Sequence, residues 1–287
     1  MAVILITGAK GQLGSEINEV SRKYMGYDFI FTDIDTLDIT DRQKTFDYIQ
    51  QIRPDWIINC AAYNLVDKAE SEADKAMLIN AGAVRNIADS LAGSECKFIH
   101  ISTDYVFDGN SNVPYDENSR ANPVTSYGKS KHEGELAALT HNRSMIIRTA
   151  WLYSSFGSNF TKTIITKARE KDMLKVVFDQ IGSPTYAGDL ASSIINIIAL
   201  VIRNKLAFNP GIYHYSNEGV CSWYDFAEAI VNEAGISCKI VPIRSKDFPS
   251  AAKRPFYSVL DKSKIKETYS IEIPHWRSSL KNCIKLM

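Results

Sequence analysis

Residues 2–14 read AVILITGAKGQLG. A short apolar run ends in a turn with glycines at 8, 11 and 14, and a polar-apolar stretch follows. An apolar run of this length closed by turn residues reads as a buried strand. With 15 glycines in 287 residues, the spacing Gly-x-x-Gly-x-x-Gly is expected by chance only about 0.04 times. Glycine at such places lets the chain leave a strand, turn tightly and open a helix. It also lets the backbone approach a pyrophosphate seated on the helix N-terminus. The stretch therefore reads as the first strand-helix turn of a dinucleotide-binding fold, with Gly8, Gly11 and Gly14 as its elements.

The pattern continues outward from that turn. Apolar runs at 28–33, 55–62, 97–102 and 144–150 read as strands, and the segments near 12–23, 41–51, 72–92 and 124–141 read as helices. Alternation of this kind favours a parallel sheet covered on both faces. After 150 the pattern loosens. Helices are expected near 158–171 and 187–203, a strand at 211–216, and a helix to about 234 capped by Ser222 with Asp225 three residues on. The expected class is α/β: a Rossmann-type doubly wound parallel sheet with a smaller C-terminal substrate-binding lobe. Residues 1–150, with a return segment about 187–216, are expected to form the dinucleotide-binding domain, and 151–186 with 217–287 the lobe.

Composition narrows the function classes. Lys plus Arg and Asp plus Glu balance at 33 each, so no global field argues for nucleic acid and no polybasic run for an anionic membrane. The apolar stretch SSIINIIALVI at 192–202 is too short to span a bilayer. The N-terminal run lacks a basic region and a small-residue cleavage site. Five dispersed cysteines with no C-x-x-C pair argue against a disulfide framework or a structural zinc, and the expectation is a reduced, cytoplasmic protein with no metal.

Candidate site residues lie at the ends of the expected strands. Asp33 ends the second, where a carboxylate can hold both adenosine ribose hydroxyls and repel a 2′-phosphate; a capping or loop aspartate is the other reading. Asp38 and Ile39 either line the adenine or cap the next helix. Thr103 and Asp104 follow the fourth strand and point into the crevice beyond it. The stretch NPVTSYGKSKHE at 122–133 carries Tyr127 and, one helical turn on, Lys131. With 14 tyrosines in the chain, such a pair is expected about once by chance, so its context decides. Reduction of a ketone needs a hydride on carbon and a proton on oxygen. An ammonium beside a tyrosine, together with the positive charge of an oxidised nicotinamide, draws the phenol from its ordinary ~10 toward neutrality. Thr103 can fix the carbonyl by a hydrogen bond.

The glycine spacing and Tyr127-x-x-x-Lys131 resemble the extended branch of the short-chain dehydrogenase/reductases. Five segments narrow the resemblance: NCAAYNLVDKAESE (59–72), STDYVFDG (102–109), YGKSK (127–131), RTAWLYSSFGSNF (148–160) and FDQIGSPT (178–185). Together they look like the dTDP-4-dehydrorhamnose reductase family, over nearly the whole chain. The resemblance implies NADPH or NADH as coenzyme and a dTDP-linked 4-keto sugar as substrate. It makes Tyr127 the proton donor and Lys131 its partner, and places Thr103, Asp104 and Trp151 on the sugar. Gly11, Gln12, Leu13, Asp33, Asp38, Ile39, Ala62, Tyr63 and Asn64 fall at cofactor-lining positions, and Arg254 with the DQIGSPT loop falls where the nucleotide is held. From residue type alone, Trp151 is as readily a core residue, and Arg254 a solvated one.

Some members of that family dimerise through a metal held by glutamates. Glu16 matches one such position, but Gly188 stands where a second glutamate belongs, so neither the metal nor that dimer is expected; a homodimer of another kind stays open. Two rival functions remain. One is another extended-branch nucleotide-sugar epimerase or reductase; a 4,6-dehydratase of that branch carries Thr-Asp-Glu, whereas this chain has Thr103-Asp104-Tyr105. The other is a non-catalytic nucleotide-binding regulatory subunit.

Overall fold

The structure, a computed structural model, describes residues 1–287. Its first half alternates strand and helix: β1 (Ala2–Thr7), α1 (Gln12–Ser21), β2 (Tyr27–Thr32), α2 (Arg42–Ile52) and β3 (Trp56–Asn59). Short helices α3 (Val66–Ala69), α4 (Ala73–Met77) and α5 (Ala83–Ser90) follow, then β4 (Lys97–Thr103), α6 (Ser126–Ala138) and β5 (Ser144–Thr149). Beyond these lie β6 (Leu152–Tyr153), α7 (Phe160–Glu170), β7 (Met173–Val177), β8 (Ile181–Gly182), β9 (Thr185–Tyr186), α8 (Ala187–Ile202) and β10 (Gly211–His214). The chain ends with β11 (Cys221–Ser222), α9 (Trp223–Glu233), β12 (Lys239–Ile243), α10 (Ser263–Tyr269) and α11 (Trp276–Ile284).

Six strands form one parallel sheet in the order β10-β5-β4-β3-β1-β2. The sheet is apolar along both faces because both are covered. Ile4 and Ile6 of β1 pack with α1 and α8, while Leu5 between them packs on the other side with α2 and α5. Strand order reverses at β1, with β2 on one side and β3 on the other. In an open parallel sheet that switch point, beyond the carboxyl ends of the strands, is where a crevice opens for ligands.

A second cluster gathers away from the sheet. Tyr153, Ile164, Leu174, Phe226, Ile230, Trp276 and Leu280 pack α7, α9 and α11 with β7 and β12. Ser222 caps α9 in the expected box, accepting from the Asp225 amide at 3.1 Å while Asp225 Oδ2 accepts from the Ser222 amide at 2.9 Å. No helix is long and apolar enough to cross a membrane.

Four elements differ from expectation. The strand expected over 55–62 stops at Asn59, whose Oδ1 accepts from the Ala61 amide at 3.1 Å and from Thr7 Oγ1 at 2.7 Å, turning the chain out of the ladder. The helix expected over 72–92 is broken by a π-helical turn at Leu78–Gly82. That wider turn lets the Asn80 carboxamide reach the Tyr63 amide (2.8 Å), the Tyr63 carbonyl (3.1 Å) and Ser130 Oγ (2.9 Å). α10 and α11 were not anticipated, although Trp276, Leu280 and Cys283 recur at helical spacing and are buried together.

Candidate active site

The glycine turn sits at the switch point. Gly8 has φ +68°, and a Cβ there would lie 2.5 Å from the Ala61 amide nitrogen. A Cβ on Gly14 would lie 2.4 Å from the Gly8 carbonyl oxygen, so the third glycine lets α1 close on the turn. Gly11 is the N-cap of α1 and offers no side-chain cap, which leaves the first amides of that helix for an anion. This cradle fits a dinucleotide pyrophosphate. Gln12 Oε1 accepts from Asn159 Nδ2 at 3.0 Å, joining the turn to the segment after β6. Leu13 packs into the cluster of β1, α1 and α8, and Ile39, beyond β2, into the cluster with α2 and α5.

Asp33 lies directly after β2, with its carboxylate accepting from the Lys10 amide and the Ile34 amide, each at 2.8 Å. The Lys10 ammonium donates to Asp35 Oδ2 at 2.7 Å across an exposed pair. Asp38 accepts from the Thr40 amide (2.9 Å) and hydroxyl (2.7 Å), and the cap of α2 is Asp41, not Asp38. Ala62, Tyr63 and Asn64 follow β3. Tyr63 is pinned by Asn80, and Asn64 Oδ1 accepts from the Tyr127 hydroxyl at 3.3 Å.

α6 brings Tyr127 and Lys131 against the end of β4. Thr125 caps this helix through the Gly128 amide at 3.0 Å, and Glu70 accepts from the Ser126 amide and hydroxyl at 2.9 and 3.0 Å. A Cβ on Gly128 would lie 2.2 Å from the Tyr105 carbonyl oxygen, so glycine permits the approach of helix and strand end. Lys131 is 2% exposed and donates to the Ile101 carbonyl at 2.6 Å. Burial lowers its ammonium to about 8, opposed by the neighbouring Glu135 and Cys60, so it is charged at neutral pH. Thr103 Oγ1 donates to Asp104 Oδ1 at 2.9 Å, and burial raises the Asp104 carboxyl to about 6.

For Tyr127, the expected lowering is not what the protein's own groups produce. Burial dominates and pushes the phenol above its ordinary value, against a lowering hydrogen bond with Thr103, while one donor of the Lys131 ammonium goes to the Ile101 carbonyl. A phenol held protonated is what a proton donor requires.

Around this group lie the second-half residues. Trp151 adopts a left-handed backbone, φ +50°, unusual for a bulky side chain. Its indole stacks on Trp223 at 3.5 Å between centroids with 6° between planes, and the backbone of Gly182 abuts the same ring. Arg254 is half-buried and paired: Nη1 donates to the Tyr105 hydroxyl at 3.0 Å and Nη2 to Asp67, whose other oxygen accepts from the Ala252 amide at 3.0 Å. Tyr105 in turn meets the Tyr127 ring edge-on at 5.4 Å. In the DQIGSPT loop, Asp179 is taken up by Ser245, Ile181 bonds the 256–258 segment, and Thr185 donates to the Trp151 carbonyl at 3.2 Å. Glu16 is buried against Ser154, whose hydroxyl donates at 2.6 Å, and burial raises its carboxyl.

Sequence reasoning missed several of these residues. Asp67 and Glu70 stood inside the quoted VDKAESE stretch without a role; one meets Arg254, the other the start of α6. Trp223, next to the recognised Ser222 cap, and Lys10, inside the glycine turn, carried no separate signal.

The fold and this crevice are those of the extended short-chain dehydrogenase/reductases. Residues 1–287 match the family described as RmlD substrate binding domain. A dTDP-4-dehydrorhamnose reductase of Aggregatibacter actinomycetemcomitans is 42% identical, the alignment covering 98% of each chain. The spore coat polysaccharide biosynthesis protein SpsK of Bacillus subtilis is 41% identical over 99% of this chain and 98% of its own. The crystal structure of dTDP-4-dehydrorhamnose reductase from Bacillus anthracis in complex with NADP superposes with a TM-score of 0.93 at 39% identity, covering 100% of both chains. The chain belongs to this family, that of the dTDP-4-dehydrorhamnose reductases, as its motifs led us to expect.

Proposed function

We propose that the protein reduces the 4-keto group of dTDP-4-dehydro-L-rhamnose to give dTDP-L-rhamnose. The observation that carries this reading is the meeting of Thr103, Tyr127 and Lys131 at the end of β4, beside the glycine cradle, in a chain that matches named reductases end to end. NAD(P)H, when bound, supplies the hydride. Gly8, Gly11 and Gly14 cradle its pyrophosphate, and Asp33 takes the adenosine ribose. Thr103 orients the sugar carbonyl and Tyr127 gives its proton to the C4 oxygen. Lys131 has three donors and uses one on Ile101, so two remain for the nicotinamide ribose and for the phenolate left behind. Asp104 and Trp151 hold the pyranose. Arg254, seated on Tyr105 and Asp67, keeps guanidinium donors for the diphosphate. In this reading residues 151–186 and 217–287 grip substrate and the rest grips coenzyme. A homodimer is not required, since one chain supplies every group named.

Remote binding energy holds a small reacting sugar in place, so the nucleotide should govern turnover as well as affinity. The test compares NADPH oxidation with the dTDP-linked keto sugar and with the same sugar free. A strong preference for the dTDP form is expected. Equal efficiency would leave only a generic carbonyl reductase.

Coenzyme choice turns on Lys10. Asp33 repels a 2′-phosphate, but the Lys10 ammonium stands over the same loop, held only by Asp35 in an exposed, solvent-screened pair. Drawn to a phosphate, it offsets Asp33. Lys10→Ala is expected to raise KM for NADPH about tenfold, the scale of one charge-assisted hydrogen bond, and to leave KM for NADH within about twofold. Equal changes for both coenzymes would remove that role.

A further inference from the structure

The strap that carries Arg254 is fastened at three places. The Ile181 amide donates to its Phe256 carbonyl at 2.8 Å, and its Ser258 amide donates to the Ile181 carbonyl at 2.8 Å, which ties it to the DQIGSPT loop. Its Tyr257 amide donates to the Gly109 carbonyl at 3.1 Å, which ties it to the loop after β4. A Cβ on Gly109 would lie 2.4 Å from the Pro255 Cβ, so the two segments touch next to Arg254. The third fastening is Asp67, in the short helix α3 that follows β3. One of its carboxylate oxygens accepts from the Ala252 amide at 3.0 Å and the other from Arg254 Nη2.

Arg254 is thereby held at both terminal nitrogens, by Asp67 at Nη2 and by the Tyr105 hydroxyl at Nη1, 3.0 Å away. Tyr105 meets the Tyr127 ring edge-on at 5.4 Å. The Tyr127 hydroxyl meets Asn64 Oδ1 at 3.3 Å, three residues before Asp67. These contacts close a ring from Asp67 through Arg254, Tyr105, Tyr127 and Asn64 back to Asp67, so the strap is fixed relative to the reacting group. A guanidinium tied at both ends has its plane set, and three of its five N–H donors stay free in fixed directions.

Such a side chain need not be ordered when a ligand arrives. Ordering a free arginine on binding costs about two- to tenfold in affinity. The negative charge of Asp67 works the other way against a diphosphate. Its side chain is 46% exposed, so solvent and salt screen that repulsion, whereas the ordering of Arg254 is not screened. Positioning outweighs repulsion.

We propose that Asp67 is a positioning residue for the nucleotide: it holds the strap by the Ala252 amide and fixes Arg254 for the substrate diphosphate. It acts through Arg254 and carries no step of the reaction.

This inference rests on the nucleotide-sugar reading, and the experiment separates the two. The probe is dTDP itself, so no turnover is needed. Its Kd is measured by titration calorimetry on the full chain saturated with NADP+, for the wild type, Asp67→Asn, Arg254→Ala and the double variant. Asp67→Asn keeps the size of the side chain and an acceptor for the Ala252 amide, but offers Arg254 no charge. It should raise Kd for dTDP about fivefold, within the range for ordering one arginine, and leave Kd for NADPH within about twofold. The melting temperature should stay within about 2 °C, since a partly exposed ion pair adds little to stability. In the Arg254→Ala background the same change should cost nothing further, because the group it positions is gone. Unchanged or tighter dTDP binding by Asp67→Asn, an equal loss of NADPH affinity, or a loss that adds to that of Arg254→Ala overturns the positioning role while the reductase reading stands. No binding of dTDP by the wild type overturns both.

Discussion

Tyr127→Phe lowers kcat by at least ~100-fold and leaves coenzyme affinity within about twofold, the lower range for loss of a general acid. The variant removes the hydroxyl and keeps the ring. That ring is 8% exposed and packs edge-on against Tyr105 at 5.4 Å, so packing survives the change. In the protein the hydroxyl meets Asn64 Oδ1 at 3.3 Å, long for an O–H donor, and the Thr103 side chain, which belongs to the same site, so its loss costs the fold little. What is lost is a proton that burial holds on the phenol until an oxygen close by gains negative charge. Steady-state kinetics with the dTDP-keto sugar measure kcat, and NADPH fluorescence titration measures affinity. Wild-type kcat in the variant would contradict the assignment of Tyr127.

Glu135→Gln destabilises the fold by about 3–5 kcal/mol, the usual cost of removing one partner from a buried ion pair. Glu135 is 1% exposed, one helical turn beyond Lys131. Its carboxylate accepts from Arg148 Nε at 2.8 Å, Arg148 Nη2 at 2.7 Å and Ser102 Oγ at 2.6 Å. Burial alone would raise this carboxyl, but hydrogen bonds from Arg148 and its charge bring it down to about 2. Because the folded value lies below the ordinary 4.5, the stabilisation is fully present above that pH and is lost as pH falls toward about 2. The amide variant leaves the Arg148 guanidinium buried without its counter-charge. It also loosens the seam between α6 and β4, where Ile101 holds Lys131 and Ser102 holds Glu135 on consecutive residues. Urea unfolding at pH 7 and pH 3 measures the effect. A loss below about 1 kcal/mol at pH 7 would contradict this account.

The first half of the fold was legible because its signals are local. β1 reads as a strand from its uninterrupted apolar run, and it is buried on both faces because Ile4 and Leu5 point to opposite layers. Ser222 and Asp225 cap α9 across a spacing visible in the sequence. Tyr127 and Lys131 are one turn apart on the helix that the glycine turn made credible. The remainder depends on partners far along the chain. Asp67 meets Arg254 at a separation of 187 residues, and Glu70 meets Ser126 at 56; neither pairing leaves a periodic trace. Trp151 reads equally as core or ligand residue, and the Trp223 stack and the left-handed backbone that hold its indole leave no periodic trace. The π-helical turn at Leu78–Gly82 exists to aim the Asn80 side chain, and a hydrophobic period cannot report the aim of one amide.

The central claim is that hydride from NAD(P)H reaches C4 of a dTDP-linked keto sugar while Tyr127 supplies the proton. NADPH deuterated at nicotinamide C4 on the transferring face, incubated with the protein and dTDP-4-dehydro-L-rhamnose, tests it most directly by NMR and mass spectrometry of the product. The account predicts dTDP-L-rhamnose carrying one deuterium, at sugar C4, with one coenzyme oxidised per sugar formed. A product without deuterium at C4, or a sugar interconverted with no coenzyme oxidised, would contradict it.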